Sequence, residues 1–375
     1  MTKVCHLTSA HPADDIRIYH KECLSLVQAG YQVVLIVAGA DSQKIRQARA
    51  KGMEVIPVVR FRHRLLRILL VPLFICFQAF RCRADLYHLH DPELIPAGLM
   101  LKIAGKKVVY DAHEDTSRQI LSKYYLTGSL RRVLSWIMRV LENRAARAYT
   151  GVITPTEGVR NAFPPAVHHK IIRVSNYPDI SEFSGIADNP SNGAICYVGA
   201  ISQSRGIHTL VESLAHHRAS LELAGPFYPS GLRDEVLQGR HASRIHYHGV
   251  VDRSGIRHIL GQAAVGVVVL PSTENHQISL PIKMFEYMAA GLPVIASDFP
   301  LWKEIVEGNE CGLCIAPGNP RLLGETVEYL LNHHEQLRRM GENGRRAVRE
   351  YFNWTVEEKR RSEERRVGKE CVSEC

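Results

Sequence analysis

The chain predicts an α/β protein of two parallel-sheet domains that face each other across a cleft. Three observations carry that expectation. Short apolar, β-branched runs alternate with longer amphipathic stretches from end to end, the pattern of strand and crossover helix. The alternation starts again near Asn192, after a turn-rich break. With 375 residues, 45% of them hydrophobic, the chain has enough apolar side chains for two ordinary cores.

In the first half the strand candidates are 3–9, 31–39, 53–59, 85–90, 106–113 and 151–156, with amphipathic stretches at 16–29 and 128–148 between them. In the second half they are 194–200, 220–226, 244–251, 264–271, 292–298 and 311–317. Each half therefore reads as a Rossmann-like sheet, whose ligands bind at the carboxyl ends of the strands. The stretch "SGIADNPSNG" (184–193) reads as the linker. The expected parts are a first Rossmann-like domain 1–183, a ligand-binding domain 194–334 and helices over 335–360 that cross back to the first domain. The last segment, 361–375 ("RSEERRVGKECVSEC"), is charged and patternless and is expected to be a non-native tail.

Lys and Arg number 47 against 38 Asp and Glu, a formal net charge of +9. A basic balance points to anionic partners without choosing among them. Nine scattered cysteines form no framework, which suits a reducing, cytoplasmic setting. Cys311-Gly-Leu-Cys314 has no second pair and reads as a strand. "MTKVCHLTSAHP" lacks the pattern of a signal peptide. The apolar run 68–80 is shorter than the ~20 residues that span a bilayer. Arg60, Arg62, Arg64 and Arg67 precede it, and Arg81 and Arg83 follow. It is either a mostly buried helix kinked at Pro72, or a surface resting on anionic lipid at the inner face of the plasma membrane. The 130–149 stretch carries Leu130, Val133, Leu134, Ile137, Met138 and Leu141 on one face with arginines around it. No base-stacking or zinc module accompanies it, so nucleic acid is not an expected partner.

Two segments of the second half carry chemistry. In "SLPIKMFEYMAAGLPVIASD" (279–298), Ser279 is placed to cap a helix with Pro281 in its first turn. Lys283 and Glu286 fall on one face and Ile282, Phe285, Met288 and Ala289 on the other. A cation near a helix start favours a phosphate, and a carboxylate suits a vicinal diol, so the pair fits a nucleotide. Alone it is a surface ion pair worth a few tenths of a kcal/mol. In "YVGAISQSRGIHTLVESL" (197–214), Gly199 and Gly206 allow close backbone approach and Arg205 offers a fork of donors for phosphate.

These two segments, with "WKEIVEGNECGLCIAPGNP" (302–320), resemble the donor domain of retaining glycosyltransferases of family four, which have the two-domain GT-B fold. "HPADDIRIYHKECLSL" (11–26), "HDPELIPAGL" (90–99), "YDAHED" (110–115) and "VSNYPD" (174–179) resemble bacterial members that build surface polysaccharide such as lipopolysaccharide or capsule. The resemblance runs from about residue 3 to 357. It implies a nucleotide-sugar donor with no further cofactor, a glycan or lipid-linked acceptor, and no metal. By that resemblance Glu286 holds the donor ribose, while Arg205 and Lys283 hold its diphosphate. Gly199, Gly206, Ser279 and Leu280 line the donor. His113 faces the transferred sugar, and Asp15, Arg17, Asp91, Glu93 and Glu114 line the acceptor side. Two positions depart from the family pattern: Ile278 stands where a first acid is common, and Ala200 where an arginine often follows the first glycine.

The residues show no nucleophile with a paired base, and the retaining reaction needs none if the leaving diphosphate accepts the acceptor's proton. A nucleotide-sugar 2-epimerase of the same fold and a carbohydrate-binding scaffold without turnover are the alternatives. His246 with His248, and His88 with His90, share strand faces, but no third ligand is spaced to complete a metal site.

Overall fold

The computed structural model describes residues 1–61, 63–123, 126–186 and 193–359. Arg62, most of the expected linker and the segment 361–375 lie outside them, and the side chains of Arg64 and Leu65 are likewise not described. The chain forms two compact units, Met1–Ser175 and Asn176–Arg360.

The first unit is built on seven parallel strands: β1 (Lys3–Thr8), β2 (Gln32–Ala38), β3 (Met53–Val58), β4 (Leu86–Leu89), β5 (Lys107–Asp111), β6 (Gly151–Thr154) and β7 (Ile171–Arg173). Their order is β3-β2-β1-β4-β5-β6-β7. The near-continuous apolar run of β2 follows from burial on both faces of the sheet. A π-helical segment, Ile16–Cys23, covers β1 and β4 from one side, with Asp15 as its cap. The helix Arg64–Cys82 buries Val71, Ile75 and Ala79 but leaves Leu69, Leu73 and Phe77 exposed, so the expected mostly buried helix is apolar on its solvent side as well. Strand β7 escaped the sequence reading because three residues carry no periodicity.

In the second unit, β8 (Ala194–Val198), β10 (Leu221–Ala224), β12 (Ile245–Tyr247), β13 (Ala263–Val268), β14 (Val294–Ser297) and β15 (Gly312–Ile315) form a parallel sheet in the order β12-β10-β8-β13-β14-β15. Two short strands, β9 (Ile201–Ser202) and β11 (Phe227–Tyr228), pair separately. Met284, Phe285, Tyr287 and Met288 pack one face of the sheet, and Leu210, Leu214, Leu323 and Val327 the other.

The units divide ahead of the expected linker because residues before it already belong to the second core. Tyr177 packs edge-on against Phe285 at 4.7 Å, and Phe183 is buried in the same cluster. The helix His334–Glu350, expected to cross to the first domain, buries its apolar face (Leu337, Met340, Ala347, Val348) in the second unit. There Arg345 Nη2 donates to Ala290 O at 2.8 Å. Cys311 and Cys314 are free thiols, each pushed up to about 12 chiefly by burial.

Candidate functional site

In the second unit the chain leaves β8 through Gly199 at φ +125°, passes Arg205, and enters the helix Ile207–Ser213 through Gly206 at φ +76°. A Cβ on Gly206 would lie 1.9 Å from Val269 O, so only glycine lets this turn rest on the strand beside it. A Cβ on Gly199 would lie 3.0 Å from Lys283 Nζ. The amine end of Lys283 is therefore packed onto the first turn.

Lys283 and Glu286 are not the surface pair their spacing describes. The helix Ile282–Ala290 is buried almost all round, with Lys283 6% and Glu286 4% exposed. The expected solvent face is covered by other segments, Lys283 by Tyr197 of β8 and Glu286 by Arg253. Lys283 Nζ sits 3.5 Å from the centre of the Tyr197 ring and has no hydrogen-bond partner among the described residues. Burial, and then the Arg205 guanidinium, hold its pKa well below the usual lysine range, against the pull of Glu286. Glu286 Oε1 instead accepts a hydrogen bond from Arg253 Nη1 at 2.8 Å. Arg253 Nε also donates to Glu182 Oε2 at 2.8 Å, and the guanidinium lies over the Phe183 ring.

Ser279 does not cap this helix. Pro281 is the N-cap residue, while Ser279 ends a preceding short helix and its Oγ donates to His276 O at 3.1 Å. Ser279 O accepts from Trp302 Nε1 at 2.7 Å, which pins the loop, and Leu280 packs against the core.

In the first unit the predicted residues separate by burial. His113, after β5, is partly exposed, with Nε2 3.3 Å from Asp111 Oδ2 and 3.5 Å from His90 Nδ1. Arg17, expected on the acceptor side, is an interior residue. Its Nε and Nη2 donate to the two Asp111 oxygens at 2.9 Å each, and its Nε lies 3.2 Å from Glu22 Oε1. Asp15 is spent on the backbone, accepting from the N–H groups of Arg17 and Ile18. Asp91 is buried and ties down the loop after β1, accepting from Thr8 Oγ1 at 2.7 Å, Ser9 N at 2.7 Å and Ala10 N at 3.2 Å. Burial would raise its pKa, but His11 at 3.0 Å and these donors hold it well below the usual range. The same contact raises His11, although burial alone would lower it. Glu93 is half-buried, with its pKa raised by burial and then by Asp91. Glu114 is exposed and accepts from Gln119 Nε2 at 2.6 Å.

Sequence reasoning missed Arg253, Asp111, His11 and Glu22. "YDAHED" put Asp111 on a strand end, but nothing local pairs it with an arginine 94 positions earlier. An arginine at the exit of β12 was the one available signal for Arg253.

Two family models divide the chain between them. The description "Glycosyl transferase 4-like domain" matches residues 20–167, and "Glycosyl transferases group 1" matches 181–347. The chain is a GT-B glycosyltransferase of the family-four type. It is 25% identical over 292 residues to MMP alpha-(1->4)-mannosyltransferase of Mycolicibacterium hassiacum, across 72% of this chain and 68% of that protein. Sucrose-phosphate synthase from Thermosynechococcus elongatus shares the fold at TM-score 0.77 and 18% identity, covering 98% of each chain. Anabaena HepE, solved in complex with UDP and glucose, does so at TM-score 0.71 and 17% identity, over 97% of this glycosyltransferase and 99% of HepE. No described helix of the glycosyltransferase is long and apolar enough to cross a membrane.

Proposed function

We propose that this glycosyltransferase moves a hexosyl group from a nucleoside-diphosphate sugar to a glycan or lipid-linked acceptor, retaining the anomeric configuration, in the synthesis of a surface polysaccharide. The observation that carries the reading is Lys283: a buried amine with no hydrogen-bond partner among the described residues, seated on a glycine turn that leads to Arg205. Two basic groups converging there, one of them dry, suit a ligand that brings its own negative charge. As the bond from the anomeric carbon to the diphosphate breaks, the departing oxygen gains charge next to Arg205 and Lys283. On the same face that oxygen takes the proton of the acceptor hydroxyl, whose oxygen forms the new bond. Glu286, now held by Arg253, accepts the ribose hydroxyls, and His113 orients the sugar or acceptor. HepE, solved with UDP and glucose, is one precedent among the structural relatives.

The test is incubation of the protein with labelled nucleotide sugars and bacterial lipid extract. Transfer to lipid or glycan is expected; isomerised free sugar would point to an epimerase, and binding without turnover to a scaffold. Arg205→Ala and Glu286→Ala are expected to abolish transfer while leaving the unfolding transition in place. Full activity in either variant removes the site assignment.

The first unit supports a peripheral contact with anionic lipid at the inner face of the plasma membrane. The helices Arg64–Cys82 and Gly128–Ala148 both pack on Ile95–Ile103, and Leu73, Phe77, Ile103, Val133 and Trp136 are exposed along the three. The Arg64–Cys82 helix contains no acid, and the only one in Gly128–Ala148, Glu142, is buried against Tyr110. Arginines with exposed apolar side chains suit an anionic interface. In flotation assays the protein should rise with phosphatidylglycerol vesicles and lose most of that binding in Phe77→Ser/Trp136→Ser. Equal binding to neutral vesicles would defeat the electrostatic part of the reading.

A further inference from the structure

We propose that the first unit holds a zinc-class divalent ion between His6, Glu22, His88 and His90. The site is separate from the donor residues, and its test does not depend on transfer activity. The sequence set metal aside because His88 and His90 lacked a third ligand; parallel pairing and the overlying segment supply two. In the register of β1 with β4, His6 stands directly opposite His88. His88 and His90 share one face by the two-residue period of a strand. Glu22 descends onto that face from Ile16–Cys23.

The donor atoms converge. His6 Nδ1 is 2.9 Å from His90 Nε2, and Glu22 Oε2 is 3.6 Å from His88 Nδ1 and 4.0 Å from His90 Nε2. One ligand atom from each residue lies within 4.8 Å of all the others. Bonds of ~2.0–2.1 Å in a tetrahedral site place ligand atoms roughly 3.3 Å apart, so small rotations close this set on an ion. Three imidazoles and a carboxylate select a borderline metal such as zinc over magnesium or calcium, which take oxygen ligands. All four side chains are at most 2% exposed, which leaves no position open to solvent and describes a structural site.

The surroundings are those of a supported ligand set. Glu22 Oε1, the oxygen not facing the histidines, lies 3.2 Å from Arg17 Nε. His90 Nδ1, the nitrogen not facing the set, is 3.6 Å from Asp111 Oδ2. A carboxylate behind a ligating imidazole fixes its tautomer and ring orientation. Asp111 and His113 can also be grouped with His90, but both Asp111 oxygens already accept from Arg17, so the four-residue set is the better site. The ion would fix His90, and through Asp111 the position of His113.

The experiment uses the full-length protein. Metal content is measured as purified; the protein is then stripped with a chelator and titrated with cobalt(II) while the visible absorption is followed. The expected result is about one ion per chain, the intense bands of tetrahedral cobalt, and a higher unfolding temperature with zinc than without. His88→Gln and Glu22→Gln should lose the bands. The trio of buried Glu222 with exposed His246 and His248, at 2.8 and 2.6 Å, is the competing place for an adventitious ion, so His246→Ala should keep the bands. Wild-type protein that shows no tetrahedral bands and unfolds at one temperature with or without zinc overturns the proposal, whatever the variants do. Loss of the bands in His246→Ala overturns it as well.

Discussion

Lys283→Met should reduce kcat/KM by about 10²–10³, the loss seen when one preorganised donor to a developing oxyanion is removed. The same variant, without nucleotide, should be more stable than the wild type by about 1–3 kcal/mol, because a buried polar atom with no hydrogen-bond partner among the described residues is replaced by an apolar group of similar shape. The two effects have opposite signs and a common origin. An amine that costs stability in the empty protein is tolerated where a ligand returns the cost. Its pH dependence follows from the direction of the shift. Lys283 is held below the usual lysine value of 10.5, so the folded protein binds fewer protons here than the unfolded chain. The penalty is therefore present at neutral pH and fades as pH rises toward the unfolded value. Urea denaturation at pH 7 and pH 10 should show the wild type gaining on Lys283→Met at the higher pH. Calorimetric titration with UDP and with GDP reads the functional half, and undiminished nucleotide binding by the variant would refute the placement of the diphosphate.

Local signals and long-range pairing account for what could be read from the chain beforehand. The strand-glycine-turn-helix order around Gly199, Arg205 and Gly206 is written within ten residues, and the structure reproduces it. The helix Gly128–Ala148 matches its predicted bounds because its periodicity is long and capped by a change in composition. The burial of Lys283 and Glu286 was not legible. A three-residue spacing defines a shared face but not what covers it, and the cover comes from β8 and from Arg253, 33 residues away. Similarly, His88 and His90 announce a strand face, but their neighbour His6 is 82 positions distant and is fixed only by strand register. Asp15, Arg17 and Asp91 show the same limit from the other side. Charged residues at strand ends read as ligand contacts, yet here they satisfy a cap, a buried carboxylate and a loop backbone.

Arg17→Met should destabilise the protein by about 3–5 kcal/mol, the cost of leaving a buried charge without its partner. Arg17 is 5% exposed; it holds both oxygens of Asp111, lies beside Glu22, and donates from two nitrogens to Val174 O at 3.3 Å. An acceptor-facing arginine would behave differently: its loss would raise KM for the acceptor and leave urea denaturation unchanged. Arg17→Lys should recover little, because an ammonium cannot serve two carboxylates and a carbonyl with one planar fork. Asp111→Asn placed on Arg17→Met should recover part of the loss by removing one stranded charge, a coupling that a double-mutant cycle reads directly. Burial would raise the pKa of Asp111, but Arg17, and then His113, outweigh it and hold the carboxyl well below the usual range. The carboxylate therefore contributes stability above its unfolded value and loses it as pH falls through the folded one. Without Arg17 burial is the largest influence left on Asp111, and its pKa rises. The deficit of Arg17→Met should accordingly be largest at neutral pH and shrink in acid, where the stranded carboxyl takes up a proton. A deficit that stayed constant from pH 7 to pH 4 would mean that Arg17 stabilises the unit through packing of its stem, and not through the charge of Asp111.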